Sequence, residues 1–171
     1  MNDQEIMPLS SDELRSIVDN FIKAANENHL KMILIGGGAV NFHGVQRHSA
    51  DIDFWIDTQR ENLDKLKLVL KQLNYKFEDF PKEVYEQKQN ISIHISPVFK
   101  IELITYLNFG LSFSEAYEKS DVSFLNDQKI LELHILSYDD LIESKLKAGR
   151  PKDYYDVLSL REIDEKRRKS E

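Results

Sequence analysis

The sequence has 171 residues, the length of one ordinary domain, and its 41% hydrophobic and 31% charged residues are typical of a globular protein rather than a disordered or fibrous one. A formal net charge of −7 argues against a general basic surface for nucleic acid, and the absence of cysteine excludes disulfides, thiolate catalysis and cysteine-ligated zinc. No apolar stretch is long enough to cross a bilayer, and Met1–Met7 lacks the features of a secretory signal, so a cytoplasmic protein without a membrane partner is expected.

The N-terminal part of the chain has a helix pattern followed by a short strand. Ser10 and Glu13 have the spacing of a capping box, and the apolar residues after them recur at helical spacing, which predicts a long first helix. The apolar run Lys31–Ile35 predicts a buried strand that leads into a glycine loop. Ala39–His43 then predicts a short helix, which Gly44 closes.

A second strand and helix pair follows. Asp51–Asp57 alternates apolar and acidic residues in the manner of a strand, and Trp55 falls on the same face as the acids. Thr58 and Glu61 have the spacing of another capping box. They predict a helix over Gln59–Leu73, in which a leucine stripe faces the core.

The second half of the chain contains three strand patterns and then two helices. Ile91–Ile95 and Phe99–Tyr106 are so close in sequence that, if they pair with each other, they must do so antiparallel. Lys129–Leu136 predicts another strand. A helix capped by Ser137 and a last helix with Pro151 in its first turn complete the pattern.

These elements predict an α/β (α+β) fold with a small mixed sheet and flanking helices. A doubly wound parallel sheet fits less well, because the alternation of strand and helix breaks after residue 90. Since no repeat or linker interrupts the sequence, residues 1–171 are expected to form a single domain. The C-terminal helices, within residues 137–168, are expected to pack beside the functional site.

Three consecutive glycines stand at the junction between the first strand and the short helix. Gly36, Gly37 and Gly38 allow backbone N–H groups to approach a phosphate without a Cβ in the way, and a helix start adds unpaired donors. A tight turn with close packing is the alternative interpretation. No G-K-[ST] follows the glycines, which excludes a P-loop, and the chain has no G-x-S-x-G elbow for serine hydrolysis.

Two acids follow the glycines at strand spacing. Asp51 and Asp53 lie two residues apart, so both carboxylates point to one side of the strand, about 7 Å apart along it. Such acids repel each other unless a cation or solvent separates them, and a divalent ion shared with nucleotide phosphates would resolve the repulsion. The alternative is a surface strand with exposed acids.

The combination of these features resembles the polymerase-beta-like nucleotidyltransferase superfamily. The subgroup that it resembles has the pattern G-G-x-A-x-x-x-H-G-x-x-R-x-[ST]-x-D-x-D and includes stand-alone nucleotidyltransferases, antibiotic-modifying enzymes and nucleotidyltransferase toxins of abortive-infection systems. The matching residues are Gly36, Gly37, Ala39, His43, Gly44, Arg47, Ser49, Asp51 and Asp53. The resemblance implies a nucleotidyltransferase fold in which the hydroxyl-bearing loop at Ser49 touches the phosphates.

The resemblance also implies a third carboxylate on a neighbouring strand. Glu102 is an acid inside an otherwise apolar strand, where an unpaired carboxylate is costly. It is either a metal-site carboxylate that faces Asp51 and Asp53 or the partner of Lys100 or another lysine in a structural salt bridge. The family residue is usually aspartate, and glutamate adds a methylene group that changes the geometry of the base.

Further residues are candidates for nucleotide binding. Arg47 either meets triphosphate oxygens with its planar fork or pairs with one of the two aspartates as a structural brace. The segment Arg150–Asp156 and the helix before it resemble a second family feature, in which Lys145 reaches the phosphates and Lys152 and Asp153 orient nucleotide or acceptor. In the alternative interpretation, Asp153 caps the last helix and pairs with its neighbouring arginine.

The resulting functional prediction is a Mg²⁺-dependent nucleotidyltransferase, with Mn²⁺ as a substitute metal. It would transfer a nucleoside monophosphate from a nucleoside triphosphate such as ATP to a hydroxyl of a tRNA, a protein or a small molecule. The resemblance to toxin–antitoxin proteins also implies a partner protein. The alternative is a catalytically impaired member of the same fold that binds a nucleotide or a partner.

Overall fold

The structure is a computed structural model that describes residues 10–49, 51–125 and 131–170. Within these ranges, six strands form one mixed sheet: β1 (Met32–Leu34), β2 (Asp51–Ile56), β3 (Ile91–Ser96), β4 (Phe99–Ile104), β5 (Asp121–Phe124) and β6 (Glu132–Ile135). Their spatial order is β3-β4-β2-β1-β6-β5. The β2–β4 and β1–β6 pairs are parallel, and the other neighbours are antiparallel.

Seven helices flank this sheet in the same described ranges: α1 (Ser11–Glu27), α2 (Gly36–Phe42), α3 (Arg60–Gln72), α4 (Lys82–Tyr85), α5 (Phe113–Lys119), α6 (Tyr138–Ala148) and α7 (Pro151–Arg168). Helix α1 packs against α3, α6 packs against α7, and α2 lies against β2 and α6. The predicted mixed sheet with flanking helices is therefore confirmed. Among the described helices, none combines the length and the apolar character needed to span a bilayer.

Most predicted elements are present, with shifted boundaries. The capping box of α1 is formed, because Glu13 N donates to Ser10 Oγ at 3.2 Å and Ser10 N donates to Glu13 Oε2 at 2.7 Å. Strands β3 and β4 are antiparallel as predicted, and Pro151 begins α7. Strand β6 covers part of the predicted strand Lys129–Leu136, whose first two residues lie outside the described ranges.

Two local predictions were wrong. Helix α3 has no side-chain cap hydrogen bond, and the expected box between Thr58 and Glu61 is replaced by a bond from Gln59 N to Asp57 Oδ1 at 3.0 Å. The Thr58 hydroxyl instead accepts a bond from Gln87 at 2.8 Å. The predicted glycine loop is also absent, because α2 begins at Gly36 and the three glycines form its first turn.

Strand β2 does not alternate in burial, since Asp51, Ile52 and Asp53 are all half-buried. Its second half, Phe54, Trp55 and Ile56, is buried throughout, because β2 lies between β1 and β4 and helices cover its C-terminal end. Trp55 packs edge-on against Phe109 and Phe113, with ring centroids 5.8 and 5.3 Å apart. The acids at the start of β2 are therefore on the part of this face that the aromatic cluster leaves uncovered.

Asn62 of α3 connects this helix to the two central strands. Its side chain is buried, accepts a hydrogen bond from Lys31 N at 2.8 Å, and donates to Lys31 O at 3.0 Å and to Asp57 O at 2.9 Å. Lys31 precedes β1 and Asp57 follows β2, so one amide fixes both chain segments where they leave the sheet. Buried backbone groups that lose such partners are costly.

We predict that Asn62→Ala lowers the free energy of unfolding by about 1–3 kcal/mol, because it leaves buried backbone groups unpaired. Urea unfolding followed by circular dichroism measures the change. Asn20→Ala on the exposed face of α1 is the matched control and should stay within about 0.5 kcal/mol of the parent protein. Equal stabilities of the two variants would contradict the bridging role.

Candidate active site

The predicted carboxylates meet through the pairing of β2 with β4. In the parallel register Asp51 lies beside Lys100, and Asp53 lies beside Glu102. Paired residues on neighbouring strands point to the same side of a sheet, and residues two apart on one strand do so as well. Asp51, Asp53, Lys100 and Glu102 therefore share one face, which we call the acidic face.

The end of β1 is held against this face. Ile35 N donates to Asp53 O at 3.0 Å, which brings the first glycine under the Asp53 side chain. Gly36 has a φ of +60°, and a Cβ at this position would overlap Asp53 Oδ2. A Cβ on Gly37 would press on Ser49 Oγ at 3.1 Å. The glycines thus allow β1 and α2 to approach the side chains that the sequence predicted at the site.

The Asp53 carboxyl is in an unfavourable electrostatic environment. Burial, followed by the charges of Asp51 and Glu102, raises its pKa above the ordinary value, while Lys145 and Lys100 act in the opposite direction. Within the described residues, the side chains of Asp51 and Asp53 make no hydrogen bond or ion pair. These two carboxylates are therefore available to an added cation.

Glu102 has a different environment. Its carboxylate pairs with Lys100 Nζ at 2.7 Å and accepts a hydrogen bond from Ser92 Oγ at 2.8 Å. The salt bridge that the sequence offered as the structural alternative is thus present. In the parts of the chain that the structure describes, no three acidic or histidine side chains converge closely enough to hold a metal ion together.

The donor set at the acidic face nevertheless fits a hard divalent cation. Mg²⁺ is usually bound by one or two carboxylates together with substrate phosphates, rather than by a complete cage of protein ligands. Asp51 and Asp53 supply two carboxylates on one side of a strand. The resident pairing of Glu102 means that it would have to leave Lys100 to become a third ligand.

Helices α6 and α7 contribute a buried charge network beside this face. Lys145 is almost fully buried, and its ammonium donates to Asp156 at 2.6 Å and to Asp153 at 3.3 Å. Arg150 forms a fork on Asp153 with distances of 2.6 and 3.1 Å. Arg47, from the loop before β2, pairs with Asp156. The network therefore ties the loop before β2 to the two C-terminal helices.

This network contains contacts of the kind that the two structural alternatives describe. Arg47 pairs with an acid, but this acid is Asp156 and not Asp51 or Asp53. Asp153 pairs with Arg150 and caps α7 through a bond from Arg150 N at 3.2 Å. Burial favours a higher pKa for Asp153, but the hydrogen bonds from Arg150 and the charge of Lys145 outweigh it and lower the pKa.

Several sequence-predicted residues thus come together, although none of their proposed roles is tested by this placement. Asp53 and Gly36 are in close approach, and Lys145 lies near enough to Asp53 to lower its pKa. Ser49 donates its hydroxyl proton to Asp51 O at 2.8 Å. Lys152 is exposed and, within the described residues, makes no hydrogen bond or ion pair, so its role as a nucleotide contact stays a prediction.

Sequence reasoning gave no functional role to Asp156, although it closes the R-x-K-D-x-x-D motif. It lies one helical turn after Asp153, a spacing that brings two acids to the same side of α7. Arg150 was considered only as the partner of Asp153, yet its charge also interacts with that of Asp53. The spacing on α7 could therefore have predicted that Asp153 and Asp156 lie together. No pattern near Arg150 in the sequence predicts its interaction with Asp53.

Comparison with known proteins identifies the family of the chain and a solved structure with the same fold. The chain matches, over residues 12–165, the family described as "Nucleotidyltransferase of unknown function (DUF6036)", and it belongs to that family. A similar solved structure is the crystal structure of an antigenic nucleotidyltransferase-like protein from Paracoccidioides brasiliensis, with 19% identity and a TM-score of 0.55. The match covers 90% of this chain and 77% of the fungal one, which shows a shared fold. No curated protein sequence matches the chain.

We predict that Gly36→Ala destabilises the protein more than Gly149→Ala does. Both glycines have nearly the same left-handed φ, +60° and +64°, which costs a side chain about 1–2 kcal/mol. Only at Gly36 would the new Cβ overlap a carboxylate oxygen, since the nearest atom at Gly149 lies 3.6 Å away. Urea unfolding of the two variants measures the difference, and equal losses would contradict the close approach of Asp53.

We also predict that Lys145→Met lowers the free energy of unfolding by about 3–5 kcal/mol, because it removes the cation shared by two buried aspartates. Lys147→Met, on the exposed side of the same helix, is the control and should change stability by less than about 0.5 kcal/mol. Thermal and chemical unfolding check this prediction. An unchanged free energy of unfolding in Lys145→Met would contradict the stabilising role of the network.

Proposed function

We propose that this protein is a Mg²⁺-dependent nucleotidyltransferase that transfers a nucleoside monophosphate from a nucleoside triphosphate to an acceptor hydroxyl. The observation that carries the proposal is the pair Asp51 and Asp53 on one face of β2, with Asp53 against Gly36. Unpaired carboxylates that repel each other are costly in a fold that has no use for them. Membership of a nucleotidyltransferase family supports the same proposal.

In this proposal Asp51 and Asp53 hold the metal, which is Mg²⁺ or its substitute Mn²⁺. The bound ion would neutralise the triphosphate and withdraw charge from the phosphorus. The chain's own residues position the nucleotide in this proposal. Gly36 and Gly37 let the first turn of α2 lie against Asp53 and Ser49, and the backbone N–H groups of Gly36, Gly37 and Gly38 would meet the phosphates. The side chain of Lys145 supplies a fixed positive charge next to Asp53.

Residues of the buried network have a supporting role in this proposal. Arg47 and Asp153 are bonded to Asp156 and Arg150, so they hold Lys145 and the loop before β2 in place instead of reaching the phosphates. Arg150 is more exposed than its partner, and its charge acts on Asp53. It is therefore a better candidate for a phosphate contact than Asp153, together with the exposed Lys152 and the hydroxyl of Ser49.

In this proposal Glu102 is the base of the transfer step. Once its carboxylate is free of Lys100, it accepts the proton of the acceptor hydroxyl. The acceptor oxygen then forms a bond to the α-phosphorus, and the bond from this phosphorus to the oxygen that bridges to the β-phosphate breaks. Pyrophosphate leaves with that oxygen, and the nucleoside monophosphate remains on the acceptor.

A second candidate function is a nucleotide- or partner-binding module with impaired catalysis. The observation that favours it is the pairing of Glu102 with Lys100 and Ser92, which leaves the described residues without a ready three-carboxylate site. Pyrophosphate release separates the two candidates. A binding module would bind the nucleotide and release none, whereas an enzyme would release one pyrophosphate for each monophosphate transferred.

We predict that Asp53→Asn lowers label transfer from an α-labelled nucleoside triphosphate at least about a hundredfold, because it removes charge from the metal site. The same change should keep or raise the free energy of unfolding by up to about 1 kcal/mol, since it relieves the like-charge contact with Glu102 across the strands. Pools of tRNA, proteins and small hydroxyl compounds serve as acceptors.

Asp19→Asn on the exposed face of α1 is the control for this measurement and should leave transfer unchanged. Active Asp53→Asn protein would contradict the proposed role of the carboxylate. A large loss of stability in Asp53→Asn would instead indicate that the aspartate is a structural residue, because its removal should relieve repulsion rather than break a bond.

A further inference from the structure

Lys100 has an unusual place in the acidic face. It lies beside Asp51 in the β2–β4 register, two residues before Glu102 on the same strand, and its ammonium is 2.7 Å from the Glu102 carboxylate. Its hydrogen bond to Glu102 raises its pKa, and the charges of Glu102, Asp51 and Asp53 act in the same direction. One ammonium thus interacts with every carboxylate that the proposed metal site would use.

A metal ion and this ammonium would compete for the same negative charge. Two cations a few ångströms apart repel each other strongly unless water screens them. Glu102 also has a single negative charge, so it cannot pair fully with Lys100 and serve as a ligand or base at the same time. Use of Glu102 as a ligand or base therefore requires the Lys100 side chain to move away.

We infer that Lys100 is the resident counter-ion of the acidic face, which holds Glu102 while no metal is bound and is displaced when a divalent cation binds. This inference rests on the proposed function of the same site. Lys100 would then be a positioning residue, since it determines when Glu102 becomes available.

Lys145, the other lysine near the face, is not suited to this exchange. Lys145 is buried between Asp153 and Asp156. Its movement would leave two buried carboxylates without a cation, which is energetically costly. Lys100 is on the open side of the sheet, with about a third of its side chain exposed, and its flexible stem can swing into water. Ser92 Oγ would continue to hold Glu102 by a hydrogen bond after the lysine leaves.

The inference predicts opposite effects of one substitution on metal affinity and on the metal-free protein. Lys100→Met should tighten Mn²⁺ binding to the nucleotide-free protein by about tenfold or more, because a competing unit charge is removed. The same variant should melt at a lower temperature without metal and gain more from added Mn²⁺ than the parent protein does. Calorimetric titration and electron paramagnetic resonance of free Mn²⁺ measure the affinity.

Two controls make the result specific. Lys100→Arg keeps the positive charge and should bind Mn²⁺ about as weakly as the parent protein. Lys67→Met removes a lysine that also pairs with two acids, Asp64 at 3.0 Å and Asp79 at 2.8 Å, away from the acidic face, and should leave Mn²⁺ affinity unchanged. Unchanged or weaker Mn²⁺ binding in Lys100→Met would overturn the inference.

A measurement on the unmodified protein tests the same point if Lys100→Met does not fold. Acylation of individual lysines by an amine-reactive reagent, followed by mass spectrometry, should be faster at Lys100 when Mn²⁺ is saturating, because the ammonium has lost its partner. Lys67 should show no change. An unaltered rate at Lys100 would overturn the displacement.

The failure of this inference differs from the failure of the proposed function. If the parent protein binds Mn²⁺ and transfers the nucleotide, but Lys100→Met leaves the affinity unchanged, only the role of Lys100 is overturned. If neither protein binds Mn²⁺ at millimolar concentrations, with or without a nucleoside triphosphate, and no label is transferred, the proposed function is overturned and the role of Lys100 with it.

Discussion

The parallel register between β2 and β4 is the constraint on which the candidate site depends. Ile52 pairs with Ile101 and Phe54 with Leu103, and these apolar residues alternate with the acids along both strands. A slip of one residue would turn the apolar side chains to the open face and the charges into the core. Packing therefore fixes Asp53 beside Glu102, and the acids cannot relax their repulsion by sliding apart.

The positive charges around the face differ in how firmly they are held. Lys145 is fixed by two buried aspartates, and these are in turn held by Arg47 and Arg150. This arrangement joins α6 and α7 to the loop before β2 and keeps one cation at a constant place. Lys100 pairs with a single carboxylate, Glu102, on the exposed face of the sheet. The face thus combines a permanent counter-charge with one that can be exchanged.

The sequence could predict the parts of the site that depend on local spacing. The glycines and the two aspartates lie within one segment, and the alternation in β2 and β4 placed Asp51, Asp53 and Glu102 on strands with their side chains to one side. Membership of a nucleotidyltransferase family agrees with the interpretation of that segment. Here short-range geometry was sufficient, because a strand has a fixed period of two.

Other parts depend on contacts between distant segments, for which single-sequence patterns give no signal. The partner of Arg47 is 109 residues away on α7, so it could not be distinguished from the nearer aspartates. The residues at Thr58 have the spacing of a capping box, but Gln59 N donates to Asp57 Oδ1, and the Thr58 hydroxyl accepts a hydrogen bond from Gln87. The strand spacing puts Trp55 on the same face as the two aspartates, but the aromatic rings of Phe109 and Phe113 cover its side chain.

The central claim is that Asp51 and Asp53 hold a divalent cation together with a nucleoside triphosphate above the first turn of α2. A crystal structure with Mn²⁺ and a triphosphate whose α,β-bridge cannot be cleaved tests it most directly, because anomalous scattering locates the metal. The account predicts Mn²⁺ within bonding distance of both carboxylates and of phosphate oxygens. Nucleotide bound elsewhere, with no metal at these two aspartates, would contradict it.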